Sequence, residues 1–186
     1  QEKFSWGLYV KTDGTRFSPV RFDPNGDDGP LMLNKLHLNN IFCDDGGMYI
    51  SGMRTKALLN YSGKAIGVLA TLPDGVHNAR PFKNGVLFND TRSNVVRFVT
   101  SETQQAFPVP RHSLEKLTHK NLDDTRIARQ GFGRGLCIVS DTEIATGSSP
   151  STISIHNLTE EKTTKVINLS LDIRNAIHGL EVWPFD

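Results

Sequence analysis

The chain has 186 residues, of which 37% are hydrophobic and 22% charged, and its net charge is +1. That balance suits a folded globular chain with a real core and excludes the strong field that draws nucleic acid or an anionic membrane surface. No apolar run approaches the ~20 residues that span a bilayer, and the opening Gln1-Glu2-Lys3-Phe4 holds no apolar leader core. A mature secreted chain lacks a leader too, so a soluble protein of either compartment, cytoplasmic or secreted, is compatible with these residues.

Read from the start, the chain is a series of short β runs with turn signals every ~8–12 residues, the pattern of an all-β fold. Trp6 to Val10 is the first predicted strand, and Asp13-Gly14 turns it into Phe17 to Phe22. Pro24 to Pro30 is a breaker cluster rich in Gly, Asn and Asp. The next unit runs from His37 through Met48 to Ser51 and Ala57 to Tyr61, then Ala65 to Leu69, with Ser62-Gly63-Lys64 as its last turn. A third unit holds Gly85 to Asn89 and Val95 to Val99. A fourth holds Glu143 to Thr146, Thr152 to His156 and Lys165 to Leu169. Between the third and fourth units lies an insertion, 107–130, rich in Pro, Lys, Arg and Asp. A loop of that length over a repeat fold suits a lid or a protein-partner surface. Its one helical stretch, Ser113 to Leu117, is short, and its His112 and His119 are expected to be solvated.

A recurring phrase opens the last three of these units and returns as an orphan copy after the fourth, while none precedes Trp6. It reads Leu36-His37-Leu38-Asn39-Asn40, Val76-His77-Asn78-Ala79-Arg80, Gly133-Arg134-Gly135-Leu136-Cys137 and Ile177-His178-Gly179-Leu180-Glu181. The intervals from His37 to His77, on to Arg134 and on to His178 are 40, 57 and 44 residues. Removing the insertion brings the long one near the ~40–50 residues of a four-stranded propeller blade. The expected fold is therefore an all-β propeller in a single domain over 1–186, with four blade-like units visible. It is either a closed four-bladed ring or the C-terminal part of a larger propeller. In the closed form, Leu180 to Phe185 pairs beside Trp6 to Val10, so that each covers an edge of the other.

Smaller features carry less chemistry. Cys43 and Cys137 follow equivalent phrases and are expected to be buried free thiols; without a CxxC spacing no cysteine zinc site is indicated. Asn60, Asn89, Asn157 and Asn168 each open an Asn-x-Ser/Thr sequon. The glycines around Phe132 do not stand between a strand and a helix, so they read as close packing near the propeller axis and not as a phosphate cradle. Asp90 and Arg92 are expected to form a turn ion pair.

The order of these motifs resembles an uncharacterised bacterial β-propeller-like family, whose members carry His-Leu-Asn-Gly, then Pro-His-Ser-Pro-Arg, then Gly-Phe-x-Arg-Gly-Leu. The matching residues are His37-Leu38-Asn39, His77 with Arg80, and Gly131-Phe132-Gly133-Arg134-Gly135-Leu136. Val76 and Asn78 stand where that family has Pro and Ser. The resemblance implies the propeller fold and carries no biochemical role.

Function must therefore come from the residues. If the phrase opens each innermost strand, His37, His77 and His178 converge at the channel mouth although they are far apart in sequence. Three imidazoles there suit a divalent metal as cofactor, and with it metal-assisted lyase or hydrolase chemistry. Without a metal, His37, Asn39, His77, Asn78, Arg80, Arg134 and His178 form a ligand-binding set, with the arginines as anion clamps. The expected ligand is a small polar molecule or a carbohydrate. The alternative is a non-enzymatic protein-interaction platform in which the histidines only fasten blades together.

Overall fold

The structure, a computed structural model, describes residues 7–12, 16–22, 36–120 and 129–183. Among these described residues fourteen strands are formed, all antiparallel within their sheets. Strands β1 (Gly7–Thr12) and β2 (Phe17–Phe22) pair as a two-stranded sheet. A four-stranded sheet follows from β3 (Leu38–Asp44), β4 (Gly47–Gly52), β5 (Ala57–Tyr61) and β6 (Ile66–Thr71). The next comprises β7 (Val76–Phe82), β8 (Gly85–Asp90), β9 (Val95–Val99) and β10 (Gln104–Pro108). The last comprises β11 (Phe132–Ile138), β12 (Glu143–Ser149), β13 (Thr152–Asn157) and β14 (Lys162–Asn168). Each is a meander in chain order, innermost strand first, as the repeat predicts for a blade.

The blades stack face to face, and what is buried follows from that. The β7–β10 sheet is the middle one. Tyr49, Leu58, Leu72, Val76 and Phe88 fill its contact with the β3–β6 sheet. Phe82, Phe98, Phe107, Leu136, Ile144 and Leu158 fill its contact with the β11–β14 sheet. On the far side of the β3–β6 sheet, Ile50, Ala57 and Leu59 pack with the half-buried Phe17 of β2. Strand β7, covered from both sides, is buried almost throughout, whereas β3 leaves Ile41 63% exposed. Cys43 shares that open flank and is exposed, so only Cys137 is the buried thiol expected from the sequence. Strand β14 is exposed along its whole length, and Lys162 and Lys165 on it discourage pairing with another chain.

Several expectations are corrected. Strand β10 takes in Phe107 and Pro108, the first two residues of the expected insertion, so the connecting segment begins at Val109. Residues 113–117 form a turn and no helix, closed by Lys116 N donating to Ser113 O at 3.0 Å. Buried Val109 and Leu117 tie that loop down. His112 Nε2 lies 3.1 Å from Thr152 Oγ1, and His119 Nδ1 lies 3.1 Å from Asp172 Oδ2, so neither histidine is merely solvated. Asp90 pairs with Arg97 at 2.9 Å, while Arg92 reaches Asp74. Asn89 is fully buried and unsuited to glycosylation in the folded state. Among the described residues, β1 has β2 as its ladder partner and 180–183 form no strand, so the expected ring closure is not made by them. Trp6, Pro184 and Phe185, also named in that pairing, lie outside the described residues.

Candidate functional site at the inner strands

Each inner strand begins with a β-bulge. The register slips between Leu38 and Asn40, between His77 and Arg80, and between Gly133 and Gly135. A bulge puts an extra residue on one strand and re-aims its side chain. Asn39 and Arg134 are the extra residues of their bulges, whereas in β7 Asn78 and Ala79 together stand against Phe88. Arg134 thus lies in its bulge and His77 directly before one, while His37 precedes β3. His37 and Asn78 take left-handed backbone, with φ of 46° and 48°, a conformation uncommon outside glycine and more accessible to Asn and His.

The bulged and neighbouring amides fasten one blade to the next. Asn39 Nδ2 donates to Val76 O at 2.8 Å, and Asn40 Nδ2 to Ala79 O at 3.2 Å. Asn78 Nδ2 donates to Arg134 O and, at 3.3 Å, to His178 O. Asn89 Nδ2 reaches Gly135 O at 3.2 Å. Such side chains satisfy carbonyls that the bulges free from their ladders. Asn39 and Asn78 thus fasten the blades through their amide nitrogens, and both also line the cleft beside Arg80.

The other predicted residues do converge. The rings of His37 and His77 meet edge to face with centroids 6.2 Å apart, and His77 meets Phe132 in the same way at 5.1 Å. The Arg134 and Arg129 guanidinium groups lie 4.6 and 4.7 Å from the Phe132 ring centroid. Arg134 Nη1 is 2.8 Å from His178 Nε2. A guanidinium can only donate, so Nε2 accepts and His178 is neutral there. Burial, followed by Arg134, holds the His178 pKa below its ordinary value. His77 is pushed down to about 4, by burial first and then by Arg134, His37 and His178, against the Gly75 carbonyl. The arginines are also depressed: Arg134 by burial and Arg129, and Arg129 by burial and Arg111.

Arg80 is the deepest cation, 6% exposed. Its Nη2 donates to Leu136 O at 2.6 Å and its guanidinium lies 4.7 Å from the Phe42 ring centroid. Its Nε is buried with no hydrogen-bond partner among the described residues. Burial lowers the Arg80 pKa, and Glu181 and Cys137 oppose that. A cleft of about 570 Å³ opens beside it, between β3, β7, β11 and the segment 178–181. The Cys137 thiol is raised by burial and then by Glu181, so it is no nucleophile at neutral pH.

The segment after β14 crosses back to this cleft. Thr118 N donates to Leu171 O at 3.1 Å, and Ile177 N to Ser148 O at 3.3 Å. Ile177 sits on Gly147 so closely that a Cβ built there lies 2.4 Å from Ile177 Cγ2. The glycines near the axis are thus explained by packing. A Gly147→Ala change is expected to lift the segment while leaving the sheets folded. The check is amide exchange at Ile177 and His178, which should quicken at least tenfold while protection in β8 and β12 holds.

The three-imidazole metal site expected from the sequence is not formed among the described residues, where no group of three His, Cys, Asp or Glu side chains is placed to hold a metal ion. His178 is turned to Arg134, whose positive charge opposes a metal cation there. The residues that sequence reasoning missed are Phe132 and Arg129, which build the stack, and Asn40. The aromatic signal was present in Gly-Phe-Gly-Arg-Gly but was masked by its glycines.

No known family profile matches the chain, and no curated protein does. Among solved structures it is similar to the WD40 β-propeller domain of Doa1, with 14% identity and a TM-score of 0.51. The match covers 90% of this chain and 53% of that one, so the chain spans about half the length of that propeller. At this identity the likeness concerns fold alone: the chain is all-β and propeller-like, built of stacked four-stranded blades.

Proposed function

We propose that this chain is a recognition module whose inner-strand cleft binds a ligand through an anionic group. The observation that carries this is the crowding of cationic groups. Arg80 and His178 line the cleft, and beside it Arg134 and Arg129 stack on Phe132, with Arg134 lowering the ionisation of both His77 and His178. Groups held in mutual repulsion form a field that an anion relieves. The propeller-like fold supports the reading, because such folds gather loops and inner strands around one binding face. A small polar molecule or a carbohydrate bearing a carboxylate fits a cleft of this size. Metal-assisted lyase or hydrolase chemistry has less support, since the imidazoles serve Phe132 and Arg134.

The test is calorimetric titration with citrate, a compact polycarboxylate. Binding should weaken steeply between 50 and 500 mM salt, as screening shortens the reach of these charges. Arg134→Gln should reduce affinity about tenfold, the scale of one charge-assisted hydrogen bond. Absence of citrate binding, or an affinity indifferent to salt and to this substitution, overturns the reading. The interaction-platform alternative draws on one observation, Leu114 standing 66% exposed on the insertion.

A further inference from the structure

The cleft has a second sign of charge. Glu181, exposed on the returning segment, lines it together with Arg80. Glu181 makes no ion pair among the described residues, yet it acts on Arg80 through space. A buried cation with an unmatched Nε and a carboxylate thus face one 570 Å³ space without closing on each other. Had they met directly, the bidentate pair would neutralise both and leave no charge to bind with. The lining is mixed, with Ile41, Phe42, Leu136 and Leu180 as its apolar part beside polar Asn39 and Asn78. The segment bearing Glu181 is held to the blades by Ile177 on Gly147 and by Asn78 Nδ2 donating to the His178 carbonyl.

We propose that this cleft takes a small amphoteric ligand of the amino-acid class, its carboxylate on Arg80, its ammonium on Glu181 and an apolar side chain against Ile41, Phe42 and Leu180. This rests on the anion-binding reading above and narrows it. A ligand with both charges gains two charge-assisted contacts where a simple anion gains one and is repelled by Glu181. A free amino acid and a short peptide share this chemistry and differ in the distance between their charged ends.

The experiment is titration of the whole chain with leucine, N-acetyl-leucine, leucinamide and the dipeptide Leu-Leu, beside citrate. Leucine or Leu-Leu should bind at least tenfold tighter than N-acetyl-leucine and leucinamide, and whichever of the two is tighter identifies free amino acid or peptide. Glu181→Gln, at an exposed position that should not disturb folding, should erase the preference of leucine over N-acetyl-leucine and raise the affinity for citrate. Arg80→Lys should weaken leucine and N-acetyl-leucine alike. If Arg80→Lys fails to fold, the Glu181 arm decides. Equal binding of leucine and N-acetyl-leucine by the unaltered protein, with citrate still bound, overturns the amphoteric ligand and leaves the anion reading standing. Failure of citrate and leucine together overturns both.

Discussion

Replacing Phe107 with alanine is expected to lower the free energy of unfolding by about 3–5 kcal/mol, the range for deleting a fully buried aromatic ring. Phe107 is 2% exposed on β10 and belongs to the apolar cluster that joins the second and third blades, with Phe82, Phe98, Leu136 and Leu158. Its ring also lies 4.8 Å from that of His156, which is fully buried in the third blade. The loss therefore combines transfer of the ring with a cavity at the one face that both sheets share. Urea melts followed by tryptophan fluorescence and by circular dichroism give the value. Leu114→Ala, at an exposed position on the insertion, serves as the control and should stay within about 0.5 kcal/mol. A Phe107→Ala cost below about 1 kcal/mol would show that the two blades are loosely joined.

The strands were legible where short apolar runs stand between turn signals. Phe17–Phe22 and Val95–Val99 are rich in β-branched and aromatic residues, Ala57–Tyr61 is a short apolar run before the Ser62-Gly63-Lys64 turn, and their bounds agree with the structure. Strand β10 escaped notice because Gln104, Gln105 and Pro108 look like loop, although Phe107 supplies its buried side. The convergence of His37, His77, Arg134 and His178 was legible for a topological reason. One phrase at the start of each innermost strand gathers residues about a blade apart in sequence. Their roles were not legible. A bulge adds a residue without changing the phrase, so spacing could not reveal that Asn39 and Arg134 are extra residues, or that Asn78 and Ala79 together stand against one partner. Nor does composition show that an amide has a carbonyl of the next blade to satisfy. Nor could the sequence show that Arg134 stands against His178 and beside His77, where its charge raises the cost of a cation.

Acid should unfold this protein through two histidines before its carboxylates contribute. His77 and His156 are both buried and are both pushed down to about 4, chiefly by burial. Among the described residues His156 has no charged partner to favour its cationic form; its ring nitrogens lie 2.8 Å from Thr146 Oγ1 and 3.0 Å from Thr163 Oγ1. In the unfolded chain each imidazole returns to about 6.5. Between those values the unfolded state binds more protons than the folded state, so stability rises with pH. The contribution is fully present above about 6.5 and is lost as pH falls toward 4. Fully expressed, it amounts to roughly 3 kcal/mol for each group, a large share of a typical domain's stability. Urea melts at pH 7.5, 6.5, 5.5 and 5.0 sample the histidine window above the range of ordinary carboxylates. His156→Gln, which keeps a polar side chain between the two threonines but cannot ionise, should roughly halve the slope of stability against pH. A slope unchanged in that variant would mean that His156 protonates without leaving the core. A flat profile in the unaltered protein would mean that both imidazoles reach water more freely than their burial implies.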